Sequence, residues 1–235
     1  MAEGPSKHGV ISARGGSTLI ESILDEKFDR PALDAHLHWR CAPTRWSSGN
    51  GLLVVEPDAG TDFWQNTHYG FAADNGHFLH MGVPGDFVLT TRLRFHPASQ
   101  YDQAGLMVRH SAGCWLKTSV EFELEGPSKL GAVVTNRGYS DWSTQDFPPG
   151  VNEVSLRVRR EGDDFIVETS TETSALPLGE RWTQIRLAHL LLPRPTPSRA
   201  LLRCGLYACS PKGKGYMAEF EYLKVEHGRL SLPPP

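Results

Sequence analysis

The side chains with most to offer chemically lie close together in the middle of the chain. From Cys114 to Leu124 the sequence is CWLKTSVEFEL, and in an extended chain alternate side chains share a face. Trp115, Lys117, Ser119, Glu121 and Glu123 then project one way. Leu116, Thr118, Val120, Phe122 and Leu124 project the other. The stretch before it, Asp102–Arg109, adds Gln103, Gly105, Met107 and Arg109 on one side and Ala104, Leu106 and Val108 on the other. A tryptophan, an amide, an ammonium and carboxylates on one face suit sugar recognition. The indole stacks on the apolar face of a pyranose, and the polar groups satisfy its hydroxyls. The same residue types also make an ordinary solvated face with cross-strand ion pairs.

Aromatic residues elsewhere favour the groove. Thr61–Phe71 (TDFWQNTHYGF) carries Phe63, Trp64, Tyr69 and Phe71 beside His68, a mixture too polar and irregular for a core strand. Asn136–Ser143 (NRGYSDWS) places Tyr139, Asp141 and Trp142 in a glycine-containing turn. The expected site therefore has a floor of Gln103, Met107, Trp115, Lys117 and Glu121. Its rim is Trp64, His68, Tyr69, Asp74, Tyr139, Asp141 and Trp142. Lys117 is expected to meet an anionic group or a hydroxyl. Gln103 and Glu121 take hydroxyls, and Trp115 or Trp142 stacks.

Two carboxylates, Glu121 and Glu123, also permit an enzyme. Retaining glycosidases hold two carboxyl groups about 5–5.5 Å apart, and neighbours on one strand face can reach that separation. Their repulsion raises one pKa, as a general acid requires. With Glu125 the run resembles the Glu-x-Asp-x-Glu strand of laminarinase-like jelly-roll hydrolases, with Glu123 where those have Asp. Metal signals are poorer. His36-x-His38 and His77-x-x-His80 lack a companion ligand at a known spacing and read as structural histidines. Pro211-Lys212-Gly213-Lys214-Gly215 reads as a basic hairpin turn, because no phosphate-loop pattern or following helix accompanies it. No metal site and no cofactor are expected.

The elements that must position these residues follow a period of two. Phe87, Leu89, Leu93 and Phe95 share a face, and Val154, Leu156 and Val158 alternate with Ser155, Arg157 and Arg159. Further strands are expected at 51–56, 77–81, 102–109, 114–124, 129–136, 164–169, 182–188, 201–209 and 216–225. Pro84-Gly85, Gly126-Pro127, Pro148-Pro149-Gly150 and Glu161-Gly162-Asp163 separate several of them. The 23 glycines and 17 prolines among 235 residues suit many short elements joined by turns, not a helical bundle. Many antiparallel strands without long helices bury one face each by packing as two sheets. The exception is TLIESILDEKF (18–28), where capping-box spacing of Thr18 and Glu21 predicts a short helix. Thr169–Arg181 is expected to be an exposed loop.

Charge and processing signals exclude other classes. A net charge of −3 gives no basic excess for nucleic acid or an anionic membrane. Met1–Gly16 holds no apolar core of a secretory signal, and no run approaches about 18 apolar residues. Cys41, Cys114, Cys204 and Cys209 form no CxxC and are expected as reduced thiols in a cytoplasmic protein.

Several segments together resemble one family: Thr61-Asp-Phe-Trp with His68-Tyr-Gly-Phe and Asp74-Asn-Gly-His-Phe-Leu; Asp102-Gln-Ala-Gly-Leu-Met-Val-Arg; Trp115-Leu-Lys with Glu121; Leu130-Gly-Ala-Val-Val-Thr-Asn with Gly138-Tyr-Ser-Asp-Trp-Ser; and Gly205-Leu-Tyr-Ala-Cys-Ser-Pro. They run in order through about 36–225. The chain resembles the concanavalin-A-like family of unknown function that includes the yeast "regulation of enolase" protein. The resemblance implies a lectin/glucanase-type jelly roll. It also implies a soluble intracellular protein with a link to carbon metabolism, and it brings no family catalytic residues. Of the three acids, only Glu121 belongs to the shared pattern, which lowers the hydrolase reading.

The expectation is thus an all-β concanavalin-A-like jelly-roll sandwich of two antiparallel sheets over 36–226. An N-terminal extension (1–35) precedes it and a tail (227–235) follows. The leading function is non-catalytic binding of a carbohydrate or small polar metabolite on the concave sheet face. The alternatives are a protein–protein interaction module and a glycoside hydrolase using Glu121 and Glu123.

Overall fold

The computed structural model describes residues 21–170, 181–193 and 201–228. In chain order the strands are β1 (Glu21–Glu26), β2 (His38–Arg40), β3 (Arg45–Gly49), β4 (Leu52–Glu56), β5 (Phe63–Gln65), β6 (Ala72–Asp74), β7 (His77–Val83), β8 (Phe87–His96) and β9 (Gln103–Ser111). There follow β10 (Cys114–Glu121), β11 (Lys129–Asn136), β12 (Tyr139–Asp146), β13 (Glu153–Glu161), β14 (Asp164–Ser170), β15 (Thr183–His189), β16 (Leu202–Cys209) and β17 (Met217–His227).

Two antiparallel sheets face each other. One has the order β15-β14-β13-β8-β17-β4-β3, and the other β12-β11-β10-β9-β16-β7-β2. Between them lies the main core, with Leu89, Leu93, Leu156 and Val158 from the first sheet against Leu79, Leu106, Val108, Leu116 and Leu206 from the second. Each such side chain contributes about 1.5–3 kcal/mol when fully buried. Glycines let strands approach closely within these sheets. A Cβ on Gly105 would stand 2.0 Å from the Thr118 carbonyl oxygen.

The jelly-roll expectation holds, with four local corrections. The helix expected over 18–28 is absent: residues 21–26 form β1, which pairs with the end of β17, and Thr18 lies outside the described residues. Leu24, Glu26 and Phe28 are buried, a two-residue spacing hidden beneath the apolar run before it. Glu26 tolerates burial because its carboxylate accepts from the backbone N–H of Phe28 (2.8 Å) and Asp34 (3.1 Å). The sandwich therefore starts at 21, inside the expected extension, and its last strand runs to 227. Leu124, expected in the core, is 66% exposed because β10 ends at Glu121. Only Arg137 and Gly138 turn the chain where 136–143 was expected to do so. Both have positive φ, as a two-residue hairpin requires, and Tyr139–Asp146 is a strand. Of the expected 169–181 loop, Thr169 and Ser170 belong to β14, and 171–180 lie outside the described residues.

The hairpin β5–β6 packs on the far face of the second sheet, away from the main core. There Phe63 and Trp64 join Phe78, Met107, Trp115, Val133, Tyr207 and Cys209 in a second apolar cluster. Gly76 makes this possible, since a Cβ there would meet the Phe63 ring at 2.4 Å and Cys209 Sγ at 2.5 Å. Polar ties hold the hairpin at both ends. Gln65 N–H donates to Ser140 Oγ (2.9 Å), Asn66 Nδ2 to the Gly138 carbonyl (2.8 Å), and Ser210 N–H to Thr61 Oγ1 (3.0 Å).

Candidate functional site

Odd-numbered side chains of β9 and β10 do face away from the sheet interface, but the β5–β6 hairpin covers part of them. What stays open is a cleft of about 590 Å³ beside the hairpin, within the range of small-molecule sites. Its floor is polar. Lys117, 3% exposed, donates from Nζ to Gln103 Oε1 at 2.8 Å and stands 3.4 Å from Asp62 Oδ1. The Gln103 amide nitrogen donates to Glu121 Oε2 (2.9 Å) and to the Tyr101 carbonyl (3.2 Å). Tyr207 donates its hydroxyl to Gln103 Oε1 at 3.2 Å. The amide orientation follows from its neighbours: an ammonium and a phenol demand the oxygen, a carboxylate and a carbonyl demand the nitrogen.

The electrostatics of this floor are nearly balanced. Lys117 is already matched by Asp62. Burial pushes the Glu121 carboxyl up to about 7; Lys117 opposes this, Asp62 and Glu123 reinforce it, and the Gln103 hydrogen bond opposes it. A carboxyl titrating near neutrality inside a cleft marks a candidate functional group. Glu123 also lines the cleft and accepts from Gln100 Nε2.

The walls are aromatic. Tyr69 (56% exposed) and Phe71 (45% exposed) come from the hairpin, Trp142 from β12, and Tyr101 from the turn before β9. Trp64 borders the cleft with its indole N–H donating to the Thr67 carbonyl at 2.9 Å. The Tyr101 turn is fixed by buried Asp102, whose carboxylate accepts from the N–H groups of Ala98 (2.8 Å) and Ser99 (2.7 Å) and from the Ser210 hydroxyl. Pro211 and Lys212 close the cleft from the neighbouring turn, with Lys212 Nζ 6.0 Å from the Tyr101 ring centre.

Of the expected site residues, Trp64, Tyr69, Gln103, Lys117, Glu121, Glu123 and Trp142 line this one cleft. Met107 and Trp115 do not: both are fully buried beneath the hairpin, and the Trp115 indole N–H is spent on the Ala112 carbonyl at 3.0 Å. Trp115 therefore packs against the tilted Phe63 ring, not on a ligand. His68 is exposed at the hairpin tip, its ring edge-on to Tyr69. Asp74 is turned to the hairpin's other side, where Arg40 and Arg109 hold it. Tyr139 and Asp141 line a separate groove with Arg186 and His189. Asp62, Phe71, Tyr101 and Lys212 belong to the cleft and were not expected there. Asp62 and Phe71 lie within the aromatic segment that signalled the site. Tyr101 and Lys212 carry no sequence signal, because only the fold brings their turns together.

Of the four histidines in the His36-x-His38 and His77-x-x-His80 pairs, His36 and His77 are satisfied by protein. His77 is buried, with Nε2 accepting from Asp58 N–H (2.9 Å) and Nδ1 2.6 Å from the Cys41 carbonyl. His36 bonds Asp34. Among the described residues no group of three or more His, Cys, Asp or Glu side chains is placed to hold a metal ion. No helix there is long and apolar enough to cross a membrane.

The family described as "Protein of unknown function (DUF1349)" matches residues 39–228, close to the stretch over which the sequence carries its resemblance. "Regulation of enolase protein 1" of Saccharomyces cerevisiae is 36% identical over 197 residues, covering 84% of this chain and 89% of that protein. An uncharacterized protein of Emericella nidulans is 32% identical over 120 residues, 48% of this chain and 58% of the relative. Among solved structures, a functionally unknown protein from Saccharomyces cerevisiae superposes with a TM-score of 0.72 at 31% identity, covering 84% of this chain and 98% of that one. A xylan beta-1,4-xylosidase from Bacillus halodurans superposes with a TM-score of 0.63 at 15% identity, covering 97% of this chain and 41% of the enzyme. That last likeness shows the sandwich fold alone.

Proposed function

The chain belongs to the DUF1349 family, and from the lining of its cleft we propose that it is a non-catalytic binding protein for a carbohydrate or small polar metabolite. The observation that carries this reading is the Gln103 amide, held between Lys117 and Glu121 beneath aromatic walls. A floor of donors and acceptors with little net charge favours hydroxyls over a strong anion. Flanking Tyr69 and Trp142 offer faces for the apolar side of a sugar ring. Stacking thus passes from Trp115, expected from sequence, to residues that reach the cleft. By analogy with the name of the yeast relative, ligand binding here would serve regulation in carbon metabolism. Four free cysteines, three of them buried, support a cytoplasmic setting.

Titration calorimetry against a panel of neutral sugars and polyols tests the reading. Binding without turnover, weakened about tenfold or more by Trp142→Ala and by Gln103→Leu in folded protein, is expected. Full affinity in both variants would remove the cleft from consideration. A second reading, a protein-interaction surface, rests on the exposure of Tyr69 and Phe71. It predicts that Tyr69→Ala abolishes capture of a stoichiometric partner while sugars never bind. The raised Glu121 pKa beside Glu123 is what favours a glycoside hydrolase; turnover lost in Glu121→Gln would replace the binding reading.

A further inference from the structure

The β5–β6 hairpin divides the outer face of the second sheet in two. The cleft occupies one side. On the other, the same face presents Arg40, His38, His80, Arg109 and Arg203. Arg203 lies directly across from Arg109 in the β9–β16 pairing, and His80 directly across from His38 in the β2–β7 pairing. Like charges opposite one another on adjacent strands are destabilising unless something compensates them.

The compensation within the protein is incomplete. Asp74 Oδ2 accepts from both Arg40 Nη2 and Arg109 Nη2 at 2.8 Å, and Arg109 Nη1 stands 2.8 Å from Asp74 Oδ1. Among the described residues Arg203 makes no ion pair, and no second carboxylate joins this cluster. One carboxylate, held by Arg40 and Arg109, thus stands against three guanidinium groups, an excess of two positive charges even with both imidazoles neutral. Arg109 is 4% exposed, so water screens this field poorly on its inner side. The field is felt by His80, whose pKa falls to about 4 through burial first and then through Arg203, His38, Arg40 and Arg109. His80 Nδ1 and Arg40 Nε are buried there without a hydrogen-bond partner.

We propose that this cluster is an anion site, distinct from the cleft, that takes the phosphate group of a small phosphorylated molecule. Arg203 and Arg40 are its direct ligands, and Arg109 is positioned by Asp74. A phosphate monoester carries about −1.5 to −2 charges at neutral pH, which matches the excess; a carboxylate supplies half of it. Guanidinium forks present paired N–H donors to phosphate oxygens. The assignment does not depend on what occupies the cleft.

Calorimetric titration of the full chain with inorganic phosphate, glucose 6-phosphate and glucose tests it. Phosphate and glucose 6-phosphate are expected to bind saturably, and more weakly as salt rises. Arg203→Ala and Arg203→Gln should each weaken both by about tenfold to a hundredfold. Arg203 is exposed, so these variants keep the fold. Arg203→Lys should lose part of the phosphate affinity, and Trp142→Ala should lose none of the affinity for inorganic phosphate, which has no sugar ring to engage the cleft. Phosphate that fails to saturate by about 20 mM, beyond the millimolar range of a weak specific site, overturns the proposal. So does phosphate binding that survives Arg203→Ala, or that is lost in Trp142→Ala. Glucose alone reports on the cleft, so its failure to bind leaves the phosphate result standing.

Discussion

The ring of Phe63 lies 6.2 Å from the indole of Trp115, centre to centre, and both side chains are fully buried. That contact seals part of a sheet face which would otherwise be the floor of a wide groove. It also anchors the hairpin that forms one wall of the cleft, because Phe63 packs equally on Tyr207 at 6.2 Å.

Trp115→Ala is therefore expected to act on stability. Removing a fully buried indole costs about 3–5 kcal/mol, read as a shift of the denaturant midpoint. Phe63→Ala should cost a similar amount. The double variant should fall short of the sum by about 0.5 kcal/mol or more, because the two rings share one contact. Additive losses would show that the hairpin is not held through this pair.

Glu121 makes stability depend on pH in a stated direction. Its folded pKa, about 7, lies above the ordinary value of 4.5, so the folded state binds the proton more tightly than the unfolded chain does. The contribution is fully present below about pH 4.5 and is lost as pH rises through about 7. Across that window the loss is on the order of 3 kcal/mol. Glu121→Gln should flatten this part of the stability–pH curve and leave the variant more stable than the parent at pH 8. An unchanged curve would mean that Glu121 is solvated and ionised throughout.

Lys117 is a buried ammonium whose partners are Gln103 and Asp62. Lys117→Met leaves the Asp62 carboxylate without its cation, and breaking one side of a buried pair costs about 3–5 kcal/mol. Chemical denaturation should show that loss, and Asp62→Asn added to Lys117→Met should restore part of it. No recovery in the double variant would argue that Asp62 is compensated by solvent.

Thiol chemistry separates the cysteines. Cys41 is exposed, whereas Cys114, Cys204 and Cys209 are buried. Burial pushes the Cys114 thiol up to about 11 and raises the Cys204 and Cys209 thiols well above their ordinary range. A thiolate-seeking reagent should label one equivalent in native protein, lost in Cys41→Ser, and four in denaturant. Rapid native labelling at any buried position would contradict the packing described.

The two-sheet fold and most of its strands are legible in the chain because a half-buried strand writes its burial into alternate residues. Phe87–Phe95 and Val154–Arg159 show the core-facing side this way, although the structure corrects the half-buried expectation: Arg92 and Arg159 on the opposite face are buried as well, in ion pairs with Glu153 and Glu168. β1 reads as a helix because its apolar residues, Ile23 and Leu24, are adjacent and follow Leu19 and Ile20 at helical spacing, and its buried acid, Glu26, looks like a surface residue until its backbone donors are in place. β12 reads as a turn because it carries polar residues on both faces and no core-facing apolar run. On the site, the parity of β9 and β10 correctly puts Gln103, Lys117 and Glu121 on one face. Parity says nothing about what lies on that face, so Trp115 and Met107 were assigned to a floor that Phe63 covers.

By itself, then, the order of residues determined which side of each strand faces the partner sheet, since a period of two is a local property of an extended backbone. It also marked the aromatic segment 61–71 as unusual. The fold alone decided that this segment folds back as a hairpin over Trp115, that Tyr101 and Lys212 meet Glu121 across a cleft, and that Asp74 joins Arg40 and Arg109 instead of the cleft's rim. Those outcomes depend on contacts between residues far apart in the chain, where packing and charge compensation in three dimensions, not spacing, select the partner.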